Sequence, residues 1–440
     1  MATATSGHPP AGPTPSDASK HPDSYYAASS PGINYPPLRG NIEADACVVG
    51  AGYTGLSTAL HLARAGLKVV VVEAARVGFG ASGRNGGQIV HSFSRDLDVI
   101  ERQYGLAQAQ ALGAMAFEGA EVLRGFVAEY GIDCDLKAGT VFAALTDKQA
   151  AKLREHQQLW ERYGHRQLSL LDAAATRAII GSDRYRAALL DASGGHFHPL
   201  KLAQGEARAL CEIGGAVHEH SAAVRIERGT RPRVLLDAGQ VQARFVVVAC
   251  NAYLDGLEPS LAARSMPCGT QIVATEPLGE RWRDVLPSDH CVEDSNYLLD
   301  YYRLSADKRL LYGGGVVYGA RDPAHIEAIL RPRLEKTFPQ LASVGIDYAW
   351  TGNFLLTLSR LPDVGRLADN ILYSQGCSGH GVTFTHLIGR VLAEAMLGRP
   401  ERMAAFESLP HYPFPGGQLL RVPLTALAAR FYDLRDRLGV

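Results

Sequence analysis

From residue 45 onward the apolar positions fall into short blocks whose spacing changes twice within thirty residues. Asp45–Val49 holds a continuous apolar run, Thr54–Ala65 carries Leu56, Leu60 and Leu62 among its apolar positions, and Leu67–Val72 is again continuous. A short apolar run bounded by turn residues reads as a buried strand, and helical recurrence reads as an amphipathic helix. The pattern therefore predicts a strand over 45–49, a helix over 54–65 ended by Gly66, and a returning parallel strand over 67–72. A similar succession recurs late in the chain: a strand over 371–374, a turn holding Gly376, Gly379 and Gly381, and a helix over 382–396. Residues 242–254, "QARFVVVACNAYL", add a strand ending in small residues that suits the same sheet. By contrast, 267–278, 296–306 and 309–319 are rich in β-branched and aromatic residues and are separated by turns rather than helices, as in antiparallel sheets.

The first strand–helix junction carries chemistry. Gly50, Gly52 and Gly55 stand in G-x-G-x-x-G order, with Tyr53 and Thr54 opening the helix, and Glu73 and Ala74 follow the second strand. In this arrangement the first glycine makes the tight turn, the second lets backbone approach a pyrophosphate, and the third lets helix and strand pack closely. The helix N-terminus offers free N–H groups and a positive dipole end to the phosphates. An acid at Glu73 accepts hydrogen bonds from ribose hydroxyls and disfavours a 2′-phosphate, which counts against NADP. NAD and FAD share the same ADP half, so this junction leaves both open.

Two further stretches favour FAD. Residues 77–90, "VGFGASGRNGGQIV", expose many backbone N–H groups and let an extended ligand come close; Ser82, Gly83, Arg84, Asn85, Gly86 and Gly87 are placed along its pyrophosphate and ribityl region. The late helix N-terminus, with Gly379, His380, Gly381, Val382 and Thr383, supplies a second dipole end. A nicotinamide cofactor needs one such end, whereas a flavin also presents a pyrimidine edge that gains negative charge on reduction.

Composition excludes several other classes. The 44 basic and 45 acidic residues leave a net charge of −1, with no global field to recruit nucleic acid or anionic lipid. The aliphatic runs are of strand length, far short of the roughly 18 apolar residues of a membrane span. The first 40 residues are rich in Pro, Ser, Gly and Ala without the apolar core of a secretion signal, so 1–23 is read as disordered and 24–40, with Tyr25 and Tyr26, as an arm on the body. Seven cysteines without paired spacing suit a reducing cytoplasm. The pairs "HFH" (196–198) and "HEH" (218–220) lack a third ligand cluster, and no metal is expected. The oligomeric state is not legible.

The stretches "SYYAAS", "CVVGAGYTGLSTALHLARAG", "GFGASGRNGGQ", "SGGHFHPL", "NYLLDYYRL", "LLYGGGVVYGARDP", "WTGNFLLTLSRLP", "GHGVT" and "LPHYPFPGG" carry a family likeness. From about Ser24 to Val440 the chain resembles the FAD-dependent amine and amino-acid oxidases related to glycine, sarcosine and D-amino-acid oxidases. The resemblance implies an α/β chain, α+β overall, in which a Rossmann-like FAD-binding domain is joined to a discontinuous, mainly antiparallel β-sheet substrate domain. It implies FAD binding by 41–110, 196–264 and 360–405, substrate binding by 111–195 and 265–359, and a tail, 406–440, packed on the body. Val224 is assigned to the cofactor on the same ground.

On the substrate side, amino-acid-oxidising relatives place a carboxylate-binding Arg at the start of a "G-x-R-P…P-x-x-G" stretch. Laid on 352–365, "GNFLLTLSRLPDVG", that pattern puts Phe354 where the Arg stands. A Phe cannot hold a carboxylate beside the reacting carbon, so the expected substrate carries a terminal primary amine instead. Trp350, Phe354, Tyr301 and Tyr302 are the expected aromatic wall, His380 a contact to flavin or substrate, and Arg303 a contact to a distant carboxylate. Relatives that attach flavin through Cys do so near 349–350, where this chain has Ala349 and Trp350, so FAD is expected to be non-covalent. The substrate-side stretches resemble members that oxidise a glutamylated diamine to an aldehyde, with oxygen as acceptor and ammonia and hydrogen peroxide as products. The alternatives are an FAD-dependent oxidase or dehydrogenase of another polyamine, another glutamyl-polyamine or a secondary amino acid, and, in another class, a non-catalytic flavoprotein with an interaction role.

Overall fold

A computed structural model describes residues 20–254, 256–319, 323–417 and 420–427. The expected disordered segment 1–23 lies outside these residues up to position 19. Three sheets organise the chain. In the first, the strands run in the order 363–368, 371–375, 245–248, 46–49, 69–72 and 216–218. All neighbours in it are parallel except 363–368 with 371–375. Val48, Val71 and Val247 are fully buried, as strands covered on both faces must be.

The helix Tyr53–Arg64 follows the first strand, and Gly381–Met396 crosses it. They meet where Gly389 lies against Ser57: a Cβ at Gly389 would stand 2.4 Å from the Ser57 hydroxyl. Glycine there brings the two helices, and hence their N-termini, to the same side of the sheet. The run 242–254 differs from its reading. Gln242 ends a strand of a small four-stranded sheet, only Phe245–Val248 joins the large one, and Asn251–Tyr253 is a 3₁₀ turn. The turn is set by Asn251, which takes a left-handed φ of 45°.

The third sheet is long and mainly antiparallel, in the order 346–357, 265–275, 310–318, 301–304, 291–294, 137–144, 187–196 and 88–89, with 168–171 beside 187–196. Its pair 291–294 with 137–144 is parallel. The short strand Gln88–Ile89 continues directly from the glycine-rich loop, so the loop bridges the two large sheets. The arm forms a helix, Tyr25–Ser29, capped by the Ser24 hydroxyl, and Tyr26 is wholly buried against Trp350 and His198. At the other end Phe414 is buried and Arg421 donates to the carbonyls of Ala262 and Ser265. No helix of the described residues is long and apolar enough to cross a membrane.

Candidate active site

The C-terminal ends of the parallel strands, at Val49, Val72, Ala249 and Ser374, open into one cavity of about 1220 Å³. Ligands of open α/β sheets bind at these strand ends. The volume exceeds the roughly 300–1,000 Å³ of a drug-sized pocket, leaving room for an extended dinucleotide together with a small substrate.

At one end stands the glycine junction. Gly50 has φ +108°, and a Cβ on it would come 2.8 Å from the Ala249 carbonyl oxygen. A Cβ on Gly55 would lie 2.0 Å from the Gly50 oxygen, so only glycine lets the helix start this close to the turn. Gly52 caps the helix without any side-chain hydrogen bond, which leaves N–H groups of the first turn facing the cavity. Glu73 accepts from the N–H groups of Ala51 (2.8 Å) and Ala75 (3.0 Å). Burial raises its pKa and these N–H donors oppose the rise. A carboxylate has about four lone-pair sites, so acceptor capacity remains for ribose hydroxyls. Ala74 and Val224 line the same cavity.

The glycine-rich loop forms the cavity's middle. Ser82, Asn85 and Gly86 line it, and the Ser82 hydroxyl accepts the Tyr53 N–H at 3.0 Å. Arg84, Gly83 and Gly87 do not line it. Arg84 is buried over the Phe79 ring, 5.1 Å from its centroid, and donates to the Tyr253 hydroxyl. It therefore braces the loop from behind. A Cβ on Gly83 would stand 2.2 Å from the Gly78 oxygen, and one on Gly87 would meet the Phe197 oxygen at 2.3 Å, so both serve packing.

At the far end the helix Gly381–Met396 points its N-terminus into the cavity, with Gly379, His380, Gly381 and Val382 on the lining and no side-chain cap. The Thr383 hydroxyl faces away and donates to the Val90 carbonyl at 2.6 Å. Burial lowers the His380 pKa, and its Nδ1 is buried without a hydrogen-bond partner among the described residues. Two helix N-termini whose own N-cap residues make no side-chain cap bond, a glycine approach at Gly50 and Gly52, and this orphan nitrogen all fit a long, anionic cofactor with a polar ring at one end.

The expected aromatic wall is only partly realised. Tyr301 and Phe354 line the cavity. The Tyr301 ring packs where Cβ atoms on Gly86 and Gly313 would stand, and Phe354 lies 3.9 Å from the corresponding point on Gly379. Tyr302 is turned to the opposite face of its strand, as alternation requires. Its ring stacks on Tyr312 and its hydroxyl donates to that of Tyr185 at 2.8 Å. Trp350 is 3% exposed and donates its indole N–H to the Arg84 carbonyl at 3.0 Å. Arg303 is 3% exposed and spends its donors on the Gly86 carbonyl (2.6 Å), the Leu304 carbonyl and the Tyr26 hydroxyl. The placement of Tyr302, Trp350 and Arg303 in the substrate wall is thus corrected: each is held by protein partners off the cavity.

The cavity also gathers residues that the sequence reading passed over. Glu293 lies in a strand and pairs with Tyr301 across it, and burial, with Asp294 beside it, raises its pKa to about 7. Arg360, Tyr297 and Tyr318 line the substrate-sheet side. "CVED" is too short and too acidic to read as a buried strand; only pairing with Thr140–Ala143 and Tyr301–Tyr302 makes it one. The cysteines Cys250 and Cys377 line the cavity, and burial raises both thiols, Cys250 to about 12. Away from the cavity His91, His165 and Asp191 lie buried with ligand atoms within 4.8 Å of one another. None of these three belongs to the "HFH" or "HEH" pairs.

Comparison with known proteins adds to this geometry. Residues 45–395 match the model of the family described as FAD dependent oxidoreductase. The chain is 61% identical over 426 residues to gamma-glutamylputrescine oxidoreductase of Escherichia coli (strain K12), covering 96% of this chain and 100% of that protein. It is 38% identical to the probable oxidoreductase OrdL of Haemophilus influenzae, over 95% of this chain and 98% of that one. In three dimensions it is similar to glycine oxidase from Geobacillus kaustophilus, with TM-score 0.71 at 20% identity over 84% of this chain and 100% of that structure.

Proposed function

This chain belongs to the FAD-dependent oxidoreductase family, and from that premise we propose that it oxidises the terminal primary amine of gamma-glutamylputrescine. The products are gamma-glutamyl-aminobutyraldehyde, ammonia and hydrogen peroxide, and the balance is one amine, one oxygen and one water consumed. FAD bound in this cavity would supply the two-electron chemistry, the net transfer being a hydride equivalent from the carbon bearing the amine to oxygen. The observation that carries the substrate reading is Phe354 on the cavity wall beside Gly379, with identity of 61% to the Escherichia coli enzyme of that name in support.

The chain's own part is binding, orientation and one proton. Gly50, Gly52, Tyr53, Thr54, Glu73, Ala74 and Val224, which line one end of the cavity, would hold the ADP end; Ser82, Asn85 and Gly86 would hold the middle; Gly379, His380, Gly381 and Val382 would hold the ring end. The hold is non-covalent, since burial keeps Cys250 and Cys377 protonated and poorly nucleophilic. Tyr301 and Phe354 flank the reacting carbon and exclude water. A hydride leaves a carbon readily only when the neighbouring nitrogen has its lone pair, so the ammonium must lose a proton first. Glu293, cross-strand from Tyr301 and raised by burial to a pKa of about 7, accepts it in its ionised form. The division into an FAD-binding domain (41–110, 196–264, 360–405) and a substrate domain (111–195, 265–359) follows this assignment.

Anaerobic addition of gamma-glutamylputrescine to the purified holoenzyme tests the reading. Bleaching of the flavin spectrum, faster than with free putrescine, glycine or sarcosine, is the expected result. Bleaching by an amino acid and not by the conjugate would overturn it.

A further inference from the structure

Arg303 was the cation assigned to a distant carboxylate, and its donors are spent on protein. Another cation takes its place on the cavity wall. Arg360 follows the strand Ile346–Thr357 that carries Phe354, and its guanidinium reaches the cavity beside Tyr297. The Arg360 Nη2 donates to the Tyr297 hydroxyl at 3.3 Å. No carboxylate among the described residues pairs with it, whereas Arg309, Arg331 and Arg333, near the substrate sheet, each hold one. A guanidinium has five donors in a planar fork, so one bond to a tyrosine leaves the fork largely uncommitted.

The backbone points the same way. Arg360 has φ +64°, in the left-handed region that a side-chain-bearing residue rarely adopts. Such a conformation persists where surrounding contacts fix it and clusters at ligand sites. Here it is fixed by the Thr357 carbonyl, which accepts the Arg360 N–H at 3.2 Å, and by the Ser359 hydroxyl, which accepts the next N–H at 3.2 Å. The turn carries Arg360 onto the same cavity that Phe354 and Glu293 line. One cation and one carboxyl on a shared cavity suit a substrate with an amine at one end and a carboxylate at the other.

We propose that Arg360, steadied by Tyr297, binds the carboxylate that the substrate carries at the end remote from the oxidised amine. The inference rests on the reading above and can fail separately from it. The first test compares kcat/KM for gamma-glutamylputrescine with that for N-acetylputrescine, which keeps the amine and the amide but lacks the carboxylate. In Arg360→Gln the ratio of the two should fall about 10- to 100-fold, mostly through KM, as expected for a lost charge-assisted bond. Arg360→Lys should recover part of it. An unchanged ratio would overturn the assignment. A second test needs no turnover: calorimetric titration of the holoenzyme with L-glutamate. Binding by the wild type that weakens at least about tenfold in Arg360→Gln supports the anchor; absent binding, or equal binding by the variant, overturns it even if gamma-glutamylputrescine proves not to be the substrate. Failure of the conjugate to bleach the flavin, with Arg360-dependent glutamate binding retained, would instead sink only the substrate reading.

Discussion

The indole N–H of Trp350 donates to the backbone carbonyl of Arg84 at 3.0 Å, across 266 residues of chain. This bond ties the long substrate-sheet strand to the glycine-rich loop, and both partners are buried. Trp350→Phe keeps the ring and leaves the Arg84 carbonyl unpaired, a loss of about 1–3 kcal/mol. Denaturant unfolding should read that loss, together with weaker FAD retention. Wild-type stability in the variant would mean that water or another donor replaces the indole.

Gly52 and Gly55 should separate cofactor binding from folding. A Cβ on Gly52 meets only the movable end of Ser82, at 2.9 Å, but stands where a pyrophosphate would approach. Gly52→Val should fold and purify with FAD affinity lowered more than about tenfold, read by flavin absorbance and back-titration. Gly55→Val pushes on the Gly50 carbonyl and should cost folding stability itself, by about 1–3 kcal/mol or more.

The Glu293 carboxyl gives two pH signatures. Burial raises its pKa to about 7 in the folded state, above the ordinary glutamate value of 4.5, so the folded state holds the proton more tightly than the unfolded chain. Folding stability should therefore be fullest below about pH 4.5 on this account and decline as pH rises toward about 7. Glu293→Gln should flatten that part of the profile. If the ionised form accepts the amine's proton as proposed, kcat/KM should rise through about pH 7, and the Gln variant should lose that limb along with about 10²- to 10⁴-fold in rate. A wild-type profile flat from about pH 6 upward would remove both Glu293 and neutral-amine binding from the mechanism.

Phe354→Arg puts a guanidinium beside Gly379, where the amine has to lose its charge. Amine oxidation should drop by at least about tenfold, because like charges repel in a low-dielectric cavity. Unchanged kinetics would take Phe354 out of the site.

Local pattern alone determined the strand–turn–helix–strand unit at 46–72, the late helix at 381–396 and the likeness of the family. Those features are encoded over a few turns: glycine where a Cβ would strike backbone, apolar runs of strand length, an acid at the end of the second strand. FAD was favoured over NAD because two helix ends and a glycine loop suit one long cofactor, and the family came from the resemblance of the quoted stretches. What the sequence could not determine was which side of a strand, or which end of a donor fork, a residue would present. Tyr301 and Tyr302 are adjacent and chemically equal, yet one faces the cavity and the other packs against Tyr312 and Tyr185 on the opposite face. Arg303 and Arg360 are both cations near aromatic residues, but the first meets the Gly86 carbonyl and the Tyr26 hydroxyl and the second does not. Such choices depend on partners hundreds of residues away, so they exist only once the sheets, the arm and the glycine loop have packed.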